Sequence, residues 1–392
     1  MISLFGIDIS FLNLLVSFIR TFKNFNTKIK ASDVVDYLGK KVWILMPTLV
    51  KYDDGVKLYR TEDRLSLLAD PTTIKAALRS TATFITHSHS DHSITFPNAG
   101  SKVYATKISQ DLFSALMNKK PKNSLALNFH ENKIINDVEV KFIPAGHLLG
   151  AAQILFYFED KTVLYTGDLC TEKMLTVPAA EIPDEDIDIV ITEATYGDPN
   201  LFFEPREKTK ISLFKWIASS LQNKVVPVIN IGHLGPAQEI IAFLNQMLSA
   251  DIYCNNRTSA FNQIYSKNGV KLSYRNFENK EIEEFNPGNS IVLLPRGRKK
   301  LPKFLSDYKT ERSMITGQSV RFGYSSFDNA FPFSMHSNAA EIINHLKKLN
   351  PKQAFTMYGF ESELASHIRR KLKIPARPLK LADKKMSLDE FL

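Results

Sequence analysis

An α/β protein with more than one core is the expectation from three observations. The first half carries short strand-like runs, helix and strand alternate after about residue 205, and 392 residues is long for a single core. Two domains, or one domain with a large insertion, follow. Hydrophobic residues make up 44% of the chain and charged residues 23%, ordinary for a soluble globular protein, and no low-complexity tract argues for disorder.

Taken in order, the first residues read as an amphipathic helix. Phe11, Leu14, Leu15 and Phe18 share one helical face, while Asp8 and Asn13 interrupt the apolar run and no basic segment precedes it. No membrane attachment is expected, and residues 1–40 are set apart as an N-terminal helical extension. Val42–Leu45, Val56–Tyr59, Leu65–Leu68 and Ala82–Ile85 then read as strands, with Asp53-Asp54-Gly55 as a turn signal. Lys102–Ala105 reads as a strand, and Ile108, Leu112 and Leu116 space Lys107–Met117 as a helix. Strands recur at Val138–Ile143, Gln153–Phe158, Thr162–Tyr165 and Ile187–Thr192. Beyond them Ile211–Gln222 and Ala237–Leu248 are helical, around a buried strand at Val225–Ile231 and before another at Ile291–Leu294. The last stretch gives helices at Ala339–Leu349 and Glu361–Leu372 around a strand at Ala354–Met357.

The chemistry concentrates in Thr86-His-Ser-His-Ser-Asp-His92, which holds three of only nine histidines. In an extended segment side chains at i and i+2 point the same way, so His87 and His89 can hold one ion together. Asp91 and His92, after the chain turns, can face a second. Imidazole and carboxylate suit zinc where no thiolate is offered. The plainer reading is a polar loop in which Ser88, Ser90 or Asp91 caps a helix. Cys170 and Cys254 are too few for a disulfide framework and lack a CxxC partner, which fits a reduced, cytoplasmic setting. Fifty Lys+Arg against 41 Asp+Glu give a charge of +9 and favour a polyanionic partner such as nucleic acid.

Further motifs follow in order: Ala69-Asp70-Pro71, Ala145-Gly-His147-Leu-Leu-Gly150, Tyr165-Thr-Gly-Asp168, Thr192-Glu193-Ala-Thr-Tyr-Gly197 and Pro332-Phe-Ser-Met-His336. This ordered set resembles the metallo-β-lactamase superfamily, specifically its β-CASP nuclease branch, over roughly residues 60 to 385. The resemblance implies an αββα sandwich built from both ends of the chain, residues 41–204 and 319–392, with an α/β β-CASP insertion at 205–318. It implies that His87, His89, His147 and Asp168 hold a first zinc, and that Asp91 and His92 hold a second ion with Asp168 bridging. Asp70 would orient the histidine loop, and Glu193 would pair with His336 near the scissile phosphate.

Two departures stand out. The stretch Phe355-Thr-Met-Tyr358-Gly359 carries a tyrosine where the family often has a histidine completing the second metal. A neutral phenol is a poor ligand, so one zinc is expected, and at the second position Mn2+ or Mg2+ stand beside zinc. Absence of that histidine is shared with the DNA cross-link-repair and Artemis-type members, which places DNA ahead of RNA as the partner; a packed aromatic is the plainer reading of Tyr358. His233 stands where many relatives have arginine and reads as a domain-interface or backbone contact, while His130, His345 and His367 read as ordinary surface or half-buried histidines. Ile191–Pro199 and the closing Met386–Leu392 look most like the prokaryotic DNA-exonuclease-like group. Arg296, Arg298, Lys299 and Lys300 are candidates to track a phosphate backbone, with a solvated basic loop as the alternative. The expectation is a zinc-dependent nuclease, a DNA exonuclease acting on single strands or ends. A ribonuclease of the same fold is the nearest rival, and a non-catalytic nucleic-acid-binding subunit the rival of another class.

Overall fold

The sequence's period-2 runs become the three sheets of the structure, a computed structural model that describes residues 49–60, 64–98, 100–278 and 285–383. The expected N-terminal extension, the strand at Val42–Leu45 and the closing run Met386–Leu392 lie outside the described residues.

The first sheet takes six strands in sequence order: β1 (Leu49–Tyr52), β2 (Val56–Tyr59), β3 (Ser66–Ala69), β4 (Ala82–Phe84), β5 (Lys102–Ala105) and β6 (Ser124–Ala126). β1 to β3 pair antiparallel, and β3 to β6 pair in parallel. Five strands of the second sheet follow: β7 (Asn132–Ile135), β8 (Val138–Pro144), β9 (Ala152–Tyr157), β10 (Thr162–Tyr165) and β11 (Ile189–Ala194). The third sheet is parallel throughout and holds β12 (Val226–Ile231), β13 (Asp251–Cys254), β14 (Arg275–Asn276), β15 (Ser290–Pro295), β16 (Thr310–Ile315) and β17 (Asn329–Phe331). The chain then returns to the second sheet with β18 (Gln353–Gly359) and β19 (Ala376–Pro378), giving the order β19-β18-β11-β10-β9-β8-β7. An insertion is what this topology requires, because β11 and β18 are neighbours in space and the whole third sheet lies between them in sequence. Its last strand, β17, lies past residue 318.

The two outer sheets face each other across one core. Leu58, Leu67 and Phe84 of the first sheet pack with Phe142, Ile154, Phe156 and Ile191 of the second. Full burial of side chains of this size contributes about 1.5–3 kcal/mol each. Helices close the outer faces. Leu346 and Ile368, on the helices Ala339–Leu349 and Glu361–Leu372, cover Leu164 and Val190 of the second sheet. Phe113 of the helix Lys107–Met117 packs with Ile85, Phe96 and Val103 on the first. These helices start where polar side chains accept the orphan N–H groups. Thr106 accepts from Ser109 N, and Asn338 forms a reciprocal capping box with Glu341. The fold class is thus αββα with an inserted α/β sheet. No described helix is long and apolar enough to cross a membrane.

Candidate metal and active site

The histidine loop leaves β4 extended and turns at once. His92 N and Ser93 N both donate to His89 O, at 3.1 and 3.0 Å. The turn sends His92 inward and leaves the Asp91 side chain 78% exposed, its Oδ2 3.8 Å from His92 Nε2.

Asp70, which ends β3 with a positive φ of 44°, anchors the loop. Its carboxylate accepts four hydrogen bonds: from Thr86 N (2.8 Å), Thr86 Oγ1 (2.6 Å), the Tyr165 hydroxyl (2.9 Å) and His92 Nδ1 (2.8 Å). A buried carboxylate is stable only when so satisfied, and here the satisfaction also fixes the His92 ring.

His147 follows Gly146, whose φ is 77° and whose added Cβ would lie 2.1 Å from the Cys170 carbonyl oxygen; only glycine fits there. The far nitrogens of three rings are each tied to an outward acceptor. His87 Nδ1 faces Thr86 Oγ1 at 3.0 Å, His89 Nε2 faces Leu234 O at 3.5 Å and His147 Nδ1 faces Met335 O at 3.2 Å. Those partners set the tautomers and turn three lone pairs toward one point. His87 Nε2 and His147 Nε2 lie 3.0 and 3.1 Å from His89 Nδ1. Asp168 adds a carboxylate oxygen, Oδ2, at 3.4 Å from His87 Nε2 and 3.5 Å from His147 Nε2.

Such convergence of lone pairs repels unless a cation sits among them. Zinc–nitrogen bonds of about 2.0–2.1 Å in a tetrahedron bring ligand atoms to about this separation, so the donor set fits the metal. His87, His89, His147 and Asp168 form one group of donor atoms within 4.8 Å of one another. Electrostatics keep the rings neutral, as ligands must be. Burial first, and then the neighbouring imidazoles, hold His87 and His147 well below the usual histidine range. Burial likewise takes His89 down to about 4. Burial raises Asp168 to about 6 against the pull of His92 and His336.

A second half of the site abuts the first. The other Asp168 oxygen, Oδ1, lies 3.5 Å from His92 Nε2. Burial would lower His92, but Asp168 and Asp70 outweigh it and raise the ring to about 10. Tyr358 completes this side. Between Glu193 and Ala194 the β11–β18 register slips, leaving Tyr358 as the extra residue at φ 64°. Such a bulge re-aims a side chain. Its ring meets His92 edge-on at 5.4 Å. Burial holds the phenol well above its ordinary range and its hydroxyl bonds that of Tyr165, so it offers no anionic ligand.

His336 stands on the third side. Its Nδ1 donates to Glu193, 2.9 Å to Oε2, and its Nε2 lies 4.0 Å from Asp168 Oδ2. Burial would lower the ring, but Glu193 and Asp168 raise it to about 9. Arg206, which sequence reasoning did not single out, holds the segment leading to His336. Its guanidinium donates to the carbonyls of Ser334 and His336, at 2.9 and 2.6 Å, and to Glu172 and Glu341. A buried arginine in the first turn of the helix Arg206–Gln222 opposes the helix dipole, and that conflict was the signal available in the sequence.

All of this opens into a cavity of about 620 Å³ whose walls include Asp91, His233, Arg296, Thr316 and Tyr358. Of the four basic residues expected along the cleft, only Arg296 lines it. Arg298 is instead held by Glu278 at 3.4 Å and lies over the Phe277 ring, while Arg312 binds the carbonyls of Lys299 and Arg298 and fixes that loop. His233 does reach the cavity, stacked on Phe261 at 5.5 Å, and burial lowers it to about 4. Gln238 and Glu239 serve structure: Gln238 accepts from Gly235 N, and Glu239 pairs with buried Lys210.

No family model matches the chain. It is similar to an RNase J-like protein of Methanocaldococcus jannaschii, 26% identical over 363 residues that cover 75% of this chain and 86% of the relative. A probable DNA ligase of Opitutus terrae is 24% identical over 74% of this chain, and cleavage and polyadenylation specificity factor 73 of Drosophila melanogaster is 34% identical over 31%. The chain spans only 28% of the ligase and 18% of the factor. A solved structure of a protein of unknown function from Enterococcus faecalis V583 superposes with a TM-score of 0.57 at 13% identity, covering 80% of this chain and 94% of that one.

These relatives are named nucleases in the main, and the fold and the order of the motifs resemble the β-CASP nuclease branch of the metallo-β-lactamase superfamily. Within a β-CASP frame, the Leu234 carbonyl behind His89 is informative. It comes from the loop after β12, in the inserted sheet, so the insertion takes part in setting a histidine of the core.

Proposed function

We propose that the protein is a metal-dependent nuclease that hydrolyses phosphodiester bonds in a single nucleic-acid strand, a DNA exonuclease in the first instance, with zinc at His87, His89, His147 and Asp168. One observation carries the reading: three neutral imidazoles, two of them buried and one half-buried, converge with a carboxylate beside the Glu193–His336 pair at the wall of an open cavity. A divalent ion held there supplies Lewis-acid relief of charge on a phosphoryl oxygen and makes water acidic near neutral pH.

The chain's own residues supply the rest. Asp168 would be a ligand of the zinc through Oδ2, beside His87, and turns Oδ1 toward His92 in the other half of the site. Asp91, at the cavity wall beside His92, accepts a proton from the attacking water and offers the second ion a ligand. His336 is oriented by Glu193 through Nδ1, leaves Nε2 toward the reacting phosphate, and donates to the leaving oxygen. Arg296 is the cation placed to meet the phosphate backbone. Tyr358 in place of a histidine favours DNA. Ribonuclease activity is the second reading, favoured by the relatives named RNase J-like protein and cleavage and polyadenylation specificity factor.

End-labelled single-stranded DNA and matched RNA, with 5′-phosphate or 5′-hydroxyl ends, test both readings with the wild type and Asp91→Ala. A DNA ladder of successive single-nucleotide products made by the wild type alone is expected. An RNA ladder alone transfers the reading to ribonuclease. No cleavage with added Zn2+, Mn2+ or Mg2+ promotes the non-catalytic binding subunit.

A further inference from the structure

We propose that Arg321, Phe322 and Phe360 form a stacking platform for the bases of single-stranded DNA just outside the cavity. It rests on the nucleic-acid reading above and adds a path for the strand. Two segments of the cavity wall lead to it. Thr316 and Gly317 line the cavity, and Thr316 Oγ1 accepts from Gln318 N to start the single turn Gly317–Val320, which delivers Arg321 and Phe322. From the other side Tyr358 lines the cavity, and Phe360 follows two residues later. The two segments meet at the Arg321 guanidinium, which lies 5.0 Å from the Phe322 ring and 4.7 Å from the Phe360 ring.

The turn is fixed against the site. A Cβ on Gly317 would stand 2.3 Å from the Tyr196 hydroxyl, and the Tyr196 ring is 5.9 Å from that of His336. Arg296 in the cavity wall donates to Thr316 Oγ1 at 3.2 Å, so cationic side chains run outward from Arg296 to Arg321. Phe322 is 53% exposed, and among the described residues no carboxylate pairs with Arg321. An exposed phenylalanine with an unpaired guanidinium over its face contributes little to the fold. It does offer what an unpaired base needs, a flat apolar face and a delocalised cation. The strand commitment follows, since a duplex hides its base faces, and the chain's charge of +9 suits a polyanion.

The test is binding of a fluorescein-labelled, phosphorothioate single-stranded DNA to the metal-loaded full chain, read by anisotropy. Phe322→Ala is expected to weaken binding at least about five-fold, within the range that one base stack contributes. Phe322→Trp is expected to restore it. On a strand made abasic outside its terminal nucleotides, wild type and Phe322→Ala should bind alike. Equal affinity of both proteins for the ordinary strand overturns the platform, and so does an equal loss on the abasic strand. A wild type that binds no strand overturns the nucleic-acid reading as well.

Discussion

The two halves of the site, which share Asp168 and draw on one seven-residue histidine loop, differ in completeness. In the half formed by His87, His89, His147 and Asp168 every residue but half-buried His89 is buried, and the rings are tied from behind by Thr86, Leu234 and Met335. The half formed by Asp91, His92 and Asp168 is open, with an exposed carboxylate on one side and a neutral phenol on the other. Ligands held from behind bind without reorganisation, whereas an exposed ligand must be ordered by the ion itself. The difference predicts one firm and one weak metal position.

The largest effect should come from breaking the firm half. His147→Ala is expected to lower bound metal below a tenth of an equivalent and nuclease activity at least about 1000-fold, measured by elemental analysis and strand cleavage. Next is the side that touches neither ion closely. His336→Ala should lower kcat about 100-fold with metal content unchanged, because the ring acts on the leaving oxygen. Loss of metal in that variant would place His336 among the ligands.

Tyr358→His sharpens the comparison most directly. It should tighten the second equivalent about ten-fold by titration calorimetry, while Tyr358→Phe should stay within about three-fold. The smallest effect concerns a buried histidine outside the site. His345 lies in the helix Ala339–Leu349 with Nε2 unpartnered, and burial lowers it to about 4. Its folded value lies below its unfolded one, so the unfolded chain takes up the proton first. The stability from keeping it neutral is full above about pH 6.5 and is lost as pH falls toward 4, by up to roughly 3 kcal/mol. Urea unfolding of the wild type should show that slope, and His345→Leu should flatten it.

Much of this was legible in the sequence. The histidine loop is contiguous, and an extended segment followed by a turn is enough to group its side chains. Helix Lys107–Met117 and strands β2, β5 and β10 fall where period and turn signals put them. Strands β6, β7 and β13 went unread because they lack strong alternation. From the sequence Asp184-Glu185-Asp186-Ile187-Asp188 reads as a solvated turn rather than a metal site; Asp184 and Asp186 are exposed, and in addition Glu185 binds Lys141 and Tyr157 while Asp188 accepts from Thr162 N and pairs with Lys352. These partners are supplied by neighbouring strands that no local window contains. The supports of His89 and His147 were invisible for a similar reason: they are backbone carbonyls, at Leu234 and Met335, and a carbonyl carries no side-chain identity. Arg298, Lys299 and Lys300 are not among the residues that line the cavity, and charge alone does not show that Glu278 and Arg312 bind their loop.

The direct test of the asymmetry is metal stoichiometry by elemental analysis after extensive dialysis, on the wild type, His147→Ala and Tyr358→His. About one equivalent in the wild type, almost none in His147→Ala and nearer two in Tyr358→His are the expected values. Two equally retained equivalents in the wild type, or one that survives His147→Ala, would contradict it.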